Sequence, residues 1–217
     1  MSFSFAKVLQ IYIDRFPWFV ELLGEQLWIS LTAIVIAGGL GLLIGIFIAE
    51  HRRFAEPVMA LCNLFYTIPA IALIALLIPL VGIGEKNAII AIILYGLMPM
   101  VRNTYTGITN IDSDTIDAAV GMGSTRLQLL LRIKLPMATS FIIAGLRTLA
   151  VMSIATGSIA AFIGGGGLGE AIFRGITMYN VEMTFCGALL LVLLALICDY
   201  GLGFLEKYIK KKWRIQE

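Results

Sequence analysis

The sequence predicts an all-α membrane protein with five transmembrane helices. Three observations predict it. Charged residues make up 14% of the 217, where a soluble domain carries roughly 25%. Mean hydropathy is +0.94. The apolar residues also gather into uncharged runs, and crossing a bilayer takes roughly 20 such residues. A chain this apolar exceeds what one core can hide, and the remainder belongs against lipid. A formal net charge of +2 gives no reason to expect a nucleic-acid partner. The bilayer is the expected surrounding.

The elements follow in order. Residues 1–24 mix Asp14, Arg15 and Glu21 with Trp18, Phe19 and Val20. That mixture is unlike a secretory signal and suits an amphipathic, extracytoplasmic lead-in lying at the interface. Residues 26–49 hold no Asp, Glu, Lys or Arg and form the first span. Within it Gly41 and Gly45 make a GxxxG pair, a weak sign of close helix packing. The second span is placed at about 58–82, the third at 87–109, the fourth at 136–162 and the fifth at 183–205. Pro69, Pro79 and Pro99 fall inside spans, which membrane helices tolerate where neighbours resatisfy the freed backbone groups. The permease domain thus covers 25–209, and a basic tail of 210–217 follows. Cys62, Cys186 and Cys198 sit in apolar stretches without CxxC pairing and read as small buried hydrophobes.

Charge sets the expected orientation. Eleven basic residues fall on one side: Arg52, Arg53, Arg102, Arg126, Arg132, Lys134, Lys207, Lys210, Lys211, Lys212 and Arg214. The other side holds four: Lys7, Arg15, Lys86 and Arg174. The basic side is expected to be cytoplasmic, with the N-terminus outside and the C-terminus inside. Residues 110–134 then form the one long cytoplasmic loop.

That loop has its own logic. Ser113 or Asp114 suits the cap of a short helix. Ala118 and Ala119 let another surface come close, and Gly121 and Gly123 allow the turn that ends it. Leu127, Leu130 and Leu131 recur at helical spacing and suit the span ends, and Pro136 suits the first turn of the next span. The loop reads Asp117-Ala118-Ala119, three residues (Val120, Gly121, Met122), Gly123, nine residues, then Ile133-Lys134-Leu135-Pro136. This resembles the EAA signature of ABC-importer permeases, with Asp117 in place of the family's Glu.

Further segments narrow the resemblance. Tyr66-Thr67-Ile68-Pro69-Ala70, Arg102-Asn103-Thr104-Tyr105-Thr106-Gly107, Ala144-Gly145-Leu146-Arg147-Thr148 and the glycine run from Gly164 to Gly169 are similar to permeases of osmoprotectant importers. The resemblance implies a MetI-like type I importer permease fold. It implies a pathway for glycine betaine, carnitine or choline in a bacterial cell membrane, with methionine or another amino-acid-like solute as the alternative cargo. The implied partners are a cytoplasmic ABC ATPase dimer, a second permease chain and an extracytoplasmic substrate-binding protein. The implied coupling residues are Asp117, Ala118, Ala119, Gly121, Gly123, Ile133, Leu135 and Pro136. ATP and Mg would bind to the partner ATPase. No cofactor, metal site or catalytic constellation is expected in this chain.

Candidate pathway or gate residues are Tyr66, Pro69, Arg147, Gly164, Gly165, Gly166, Gly167 and Gly169. The glycine run satisfies GxGxxG, yet no strand precedes it and no acidic partner follows at the usual distance, so nucleotide binding is rejected. It reads either as a plain turn or as a hinge or close-packing point. Arg147 lies deep in the fourth span, where a charge faces the bundle interior or a watery cavity. It reads either as lining the path or as pinned to carbonyls or to a carboxylate such as Asp199. Asp199 reads as a helix-end carboxylate and Arg102 as a side chain snorkelling to headgroups. Phe65 and Tyr66 read as helix packing, with stacking on a quaternary ammonium as the functional alternative. A channel or ion-coupled carrier is the rival class. It predicts paired intramembrane carboxylates or inverted repeats.

Overall fold

A computed structural model describes residues 3–213. A short amphipathic helix comes first, α1 (Phe5–Asp14). After one residue the chain enters α2 (Phe16–Glu50). Its 35 residues span about 52 Å, more than a hydrocarbon core of ~30 Å. The first helix therefore begins ten residues before the run at 26–49. Part of the expected lead-in is a rigid extension of the span. Phe19 and Leu22 in that extension pack with Val8 of α1 and with Leu168, Ala171 and Cys186. Tyr12 Oη donates to the Cys186 carbonyl at 2.8 Å. Burial pushes the Tyr12 phenol up to about 12, and the neighbouring Cys186 acts in the same direction.

The second crossing is broken. Helix α3 (Ala55–Thr67) and helix α4 (Ala70–Val81) meet at a bend of 100°. The span expected at 58–82 is this bent pair, with Pro69 at its break. Pro69 is the cause. Its ring bars the α conformation to the residue before it, and Ile68 is extended at φ −70° and ψ 129°.

Four further helices complete the bundle: α5 (Glu85–Thr109), α8 (Leu135–Ile159), α9 (Gly169–Thr177) and α10 (Val181–Trp213). Short helices α6 (Ser113–Gly121) and α7 (Arg126–Leu129) lie between α5 and α8. Among the described residues four helical stretches are long and apolar enough to cross a membrane, and the bent pair makes a fifth when it counts as one span. Residues 214–217 of the expected basic tail lie outside the described residues.

Polar contacts identify the two ends of the bundle. Trp28 Nε1 donates to Glu85 Oε1 at 2.6 Å, and the Gly167 N–H donates to Glu25 Oε2 at 2.8 Å. These place the start of α5 and the exit of α8 beside the upper part of α2. At the opposite end Lys134 Nζ meets Glu50 Oε1 at 2.5 Å. The bent pair leaves the Glu50 end and arrives at the Glu85 end, so it carries the chain across.

Close packing of α2, α5 and α8 forms the centre. A methyl added at Gly41 would lie 2.7 Å from Met100 Cβ, and one at Gly45 would lie 2.5 Å from Thr104 Cβ. The GxxxG pair is therefore a contact within the chain. The polar runs that carried the resemblance meet here too. Gly145 is pressed against Asn103 and the Pro99 carbonyl, and Gly107 against Phe141 and Ala138. Thr104 is fully buried.

Candidate functional site

The loop between α5 and α8 is built by three local devices. Asp112 caps α6, its Oδ1 accepting from the Asp114 N–H at 3.3 Å. The cap expected at Ser113 or Asp114 is thus one residue earlier, and both residues occupy the first turn. At the other end the Ser124 N–H reaches the Ala119 carbonyl at 3.1 Å and the Gly123 N–H reaches the Val120 carbonyl at 2.9 Å. This Schellman pair needs a left-handed residue, supplied by Gly123 at φ +84°. Next, Thr125 and Gln128 form a reciprocal capping box that opens α7. The sequence reading missed it, although Thr-x-x-Gln is its signature.

From Arg126 the helix runs without interruption to Ile163. Pro136 takes the first turn of α8 (Leu135–Ile159), as expected, with helical turns leading into it. Pro136 offers no N–H to the turn before it, and that turn, Leu130–Lys134, is π-helical. The leucine expectation also changes. Leu127 and Leu131 are exposed, while Leu129 is the buried anchor.

The predicted coupling residues divide into two groups. Ala119 is buried, and Ile133, Leu135 and Pro136 are half-buried; Leu135 packs with Ala49, Ile108 and Ala138. Leu135 thus anchors the start of α8 to α2 and α5, while α6 packs chiefly on α7. Asp117, Ala118, Gly121 and Gly123 face outward. Val120 and Met122 beside them are 54% and 81% exposed. Gly121 has helical backbone, and a methyl there would meet nothing within 4 Å. Nothing inside the chain requires a glycine at that position.

The candidate gate residues occupy two places. The glycine run caps α8. Gly164, Gly166 and Gly167 have φ of +71°, +75° and +79°. Gly166 and Gly167 lie directly on Glu25 and Gln26 of α2, and Gly169 lies on the Ser158 carbonyl, where any side chain would collide. The run is a close-packing point rather than a loose turn. Gly165 completes the turn, its N–H bonded to the Ala160 carbonyl at 2.9 Å. Glu25 and the fully buried Gln26 are the partners the sequence reading did not find. The signal for Gln26 is a polar residue on the buried helical face of Phe19, Leu22, Ile29 and Ala33.

Arg147 is pinned, as one of its two readings had it. Nε and Nη2 donate to the two Asp199 oxygens, each at 2.9 Å, and Nη1 donates to Glu206 Oε2 at 3.1 Å. Glu206 went unnoticed in the sequence, though it follows Asp199 by seven residues and so shares its helix face. Arg147 and Asp199 nonetheless remain open to a groove of about 430 Å³, walled by Ala144, Thr148, Val151 and Met152. Tyr66 Oη points at Met152 Sδ, 3.8 Å away, and its ring neighbours Tyr95. Tyr66 and Arg147 therefore border one region, and Pro69 sets the bend beside it.

The family of binding-protein-dependent transport system inner membrane components matches residues 41–214. The carnitine transport permease protein of Listeria monocytogenes is 36% identical over 188 residues, 87% of this chain and 86% of that one. A glycine betaine/carnitine/choline permease protein of Bacillus subtilis is 40% identical over 187 residues, 84% of this chain and 82% of that one. The osmoprotectant import permease protein of Salmonella typhimurium is 37% identical over 205 residues, 92% of this chain and 95% of that one. A solved structure of the methionine ABC transporter MetNI, in an inward-facing conformation, superposes with a TM-score of 0.82 at 21% identity. The match covers 90% of this chain and 98% of that one and establishes the fold. With its exposed interhelical helix, its bent second crossing and these relatives over most of its length, the chain belongs to the binding-protein-dependent transport inner-membrane family, the multi-pass permease subunits of ABC importers.

Proposed function

We propose that this chain forms the translocation pathway of an ATP-driven importer for a quaternary-ammonium compatible solute such as glycine betaine, carnitine or choline. Relatives named for those solutes over most of the chain support that cargo. Methionine import rests on likeness of fold alone. Two permease chains face one another, an ATPase dimer docks on the basic, cytoplasmic end, and a binding protein delivers solute at the Glu85 end. ATP and Mg sit in the ATPase, and this chain performs no hydrolysis.

One observation carries the coupling role. Helix α6 turns Asp117, Ala118, Val120, Gly121 and Met122 away from its own bundle. Exposed apolar side chains beside a glycine with no internal partner suit a surface that another protein covers. Asp117 keeps the carboxylate one methylene nearer the backbone than Glu. Closure of the ATPases would press on α6, and the half-buried Ile133, Leu135 and Pro136 pass that displacement into α8. At the far end the glycine run seated on Glu25 and Gln26 serves as the outer closure.

The test is co-purification of the permease with its ATPase. V120E/M122E should fold, because both side chains are exposed, and should lose the ATPase. Retention of the ATPase with full ATP-driven uptake would refute the docking role.

A further inference from the structure

The groove beside Arg147 has a feature the coupling role does not use. Arg147 lies midway along α8 (Leu135–Ile159), twelve residues and about 18 Å from either end. Charges at such depth face a watery cavity or protein rather than hydrocarbon. Side chains of Arg147 and Asp199 are 33% and 35% exposed, and Glu206 is 17% exposed. Arg147 is both deep in its helix and reachable, and Glu206 meets it from just past the expected end of the fifth span.

Lys210 Nζ lies 3.2 Å from Glu206 Oε1, so among the described residues two cations and two carboxylates meet here. Arg147 borders the groove of about 430 Å³ and also a second hollow of about 680 Å³, which Tyr200, Gly203, Phe204 and Glu206 help to wall. The guanidinium lies flat over Gly203, whose missing side chain leaves 3.5 Å between an added methyl and Arg147 Cζ. Three of the five guanidinium N–H donors are used in the bonds to Asp199 and Glu206.

We propose that Arg147, Asp199 and Glu206 form a recognition station for a small zwitterion passing along the pathway. This rests on the importer reading above. The solute's carboxylate takes guanidinium N–H groups, and its cation faces the carboxylates of Asp199 and Glu206. Ion-pair partners are exchanged, and the zwitterion adds no net charge to the groove. A lone anion or cation adds a net charge, which is costly in a poorly solvated site. Discrimination therefore comes from what the site leaves unpaired with the wrong solute.

The experiment measures uptake of glycine betaine and of choline, which lacks the carboxylate, by the assembled transporter in proteoliposomes. The charge-neutral double variant R147Q/D199N should lower the ratio of glycine betaine to choline uptake at least tenfold. R147K keeps the charge without the planar fork and should give an intermediate ratio. A ratio within threefold of wild type in both variants, with the complex assembled and ATPase active, overturns the station and leaves the cluster a clamp between α8 and α10. A wild-type complex that carries neither solute refutes the importer reading, and the station falls with it.

Discussion

Replacing Gly121 separates the fold from its docking. The residue ends α6 with helical backbone, and a methyl group there meets no atom of the chain within 4 Å. Alanine gains roughly 0.5–1 kcal/mol over glycine in a helix. G121A should therefore leave the permease as stable as before or slightly more so. If the ATPase seats directly on this surface, the methyl overpacks the contact. Overpacking costs about 1–3 kcal/mol, which is roughly 5- to 150-fold in docked population. Two assays read the two effects: thermal unfolding of the purified permease, and ATP-driven uptake at fixed ATPase concentration in proteoliposomes. The expected pattern is an unchanged or higher Tm with uptake reduced at least fivefold and partly restored by excess ATPase. Normal uptake by G121A, and by the bulkier G121L, would show that no partner touches this face. A lowered Tm would show that the glycine serves the chain's own packing.

Three further outcomes follow from the packing. G45V should destabilise the bundle by at least about 2 kcal/mol, because the added atoms overlap Thr104 and the helices α2 and α5 must part; denaturation in detergent measures it. E50Q and K134Q should each cost under about 1 kcal/mol, since the pair is partly exposed, and the double variant should be no worse than either single; a double-mutant cycle on unfolding reads this. Tyr12 supplies a pH dependence. Its phenol titrates near 12 when α1 is docked, against 10 in the unfolded chain. The raised value means that its contribution is complete below pH 10 and is lost as pH rises towards 12. Proteolysis or hydrogen exchange in α1 should accelerate over that window. Y12F should abolish the pH dependence while costing about 1 kcal/mol for the lost bond to Cys186.

Much of this protein was legible because membrane crossing is a local property. A run of roughly 20 apolar residues reports on itself, whatever surrounds it. The class, the apolar runs and the interhelical loop with its fixed spacing could thus be read residue by residue, and so could the deep placement of Arg147. Only the tertiary structure decided what depends on residues far apart in the chain. Pro69 signalled a break, but the 100° angle comes from how α3 and α4 pack on α5 and α8. Gly41 and Gly45 offered a packing face without naming its partner, and Met100 and Thr104 fill it from more than fifty residues away. Arg147 had a candidate in Asp199, yet only the face of α10 turned towards α8 added Glu206. Glu25 and Gln26 stood at the start of the first span with no partner in view, and the glycine turn some 140 residues later folds down upon them. Hydropathy constrains each helix against lipid; it says nothing of which helix faces meet, because that choice is made by shape and charge between elements.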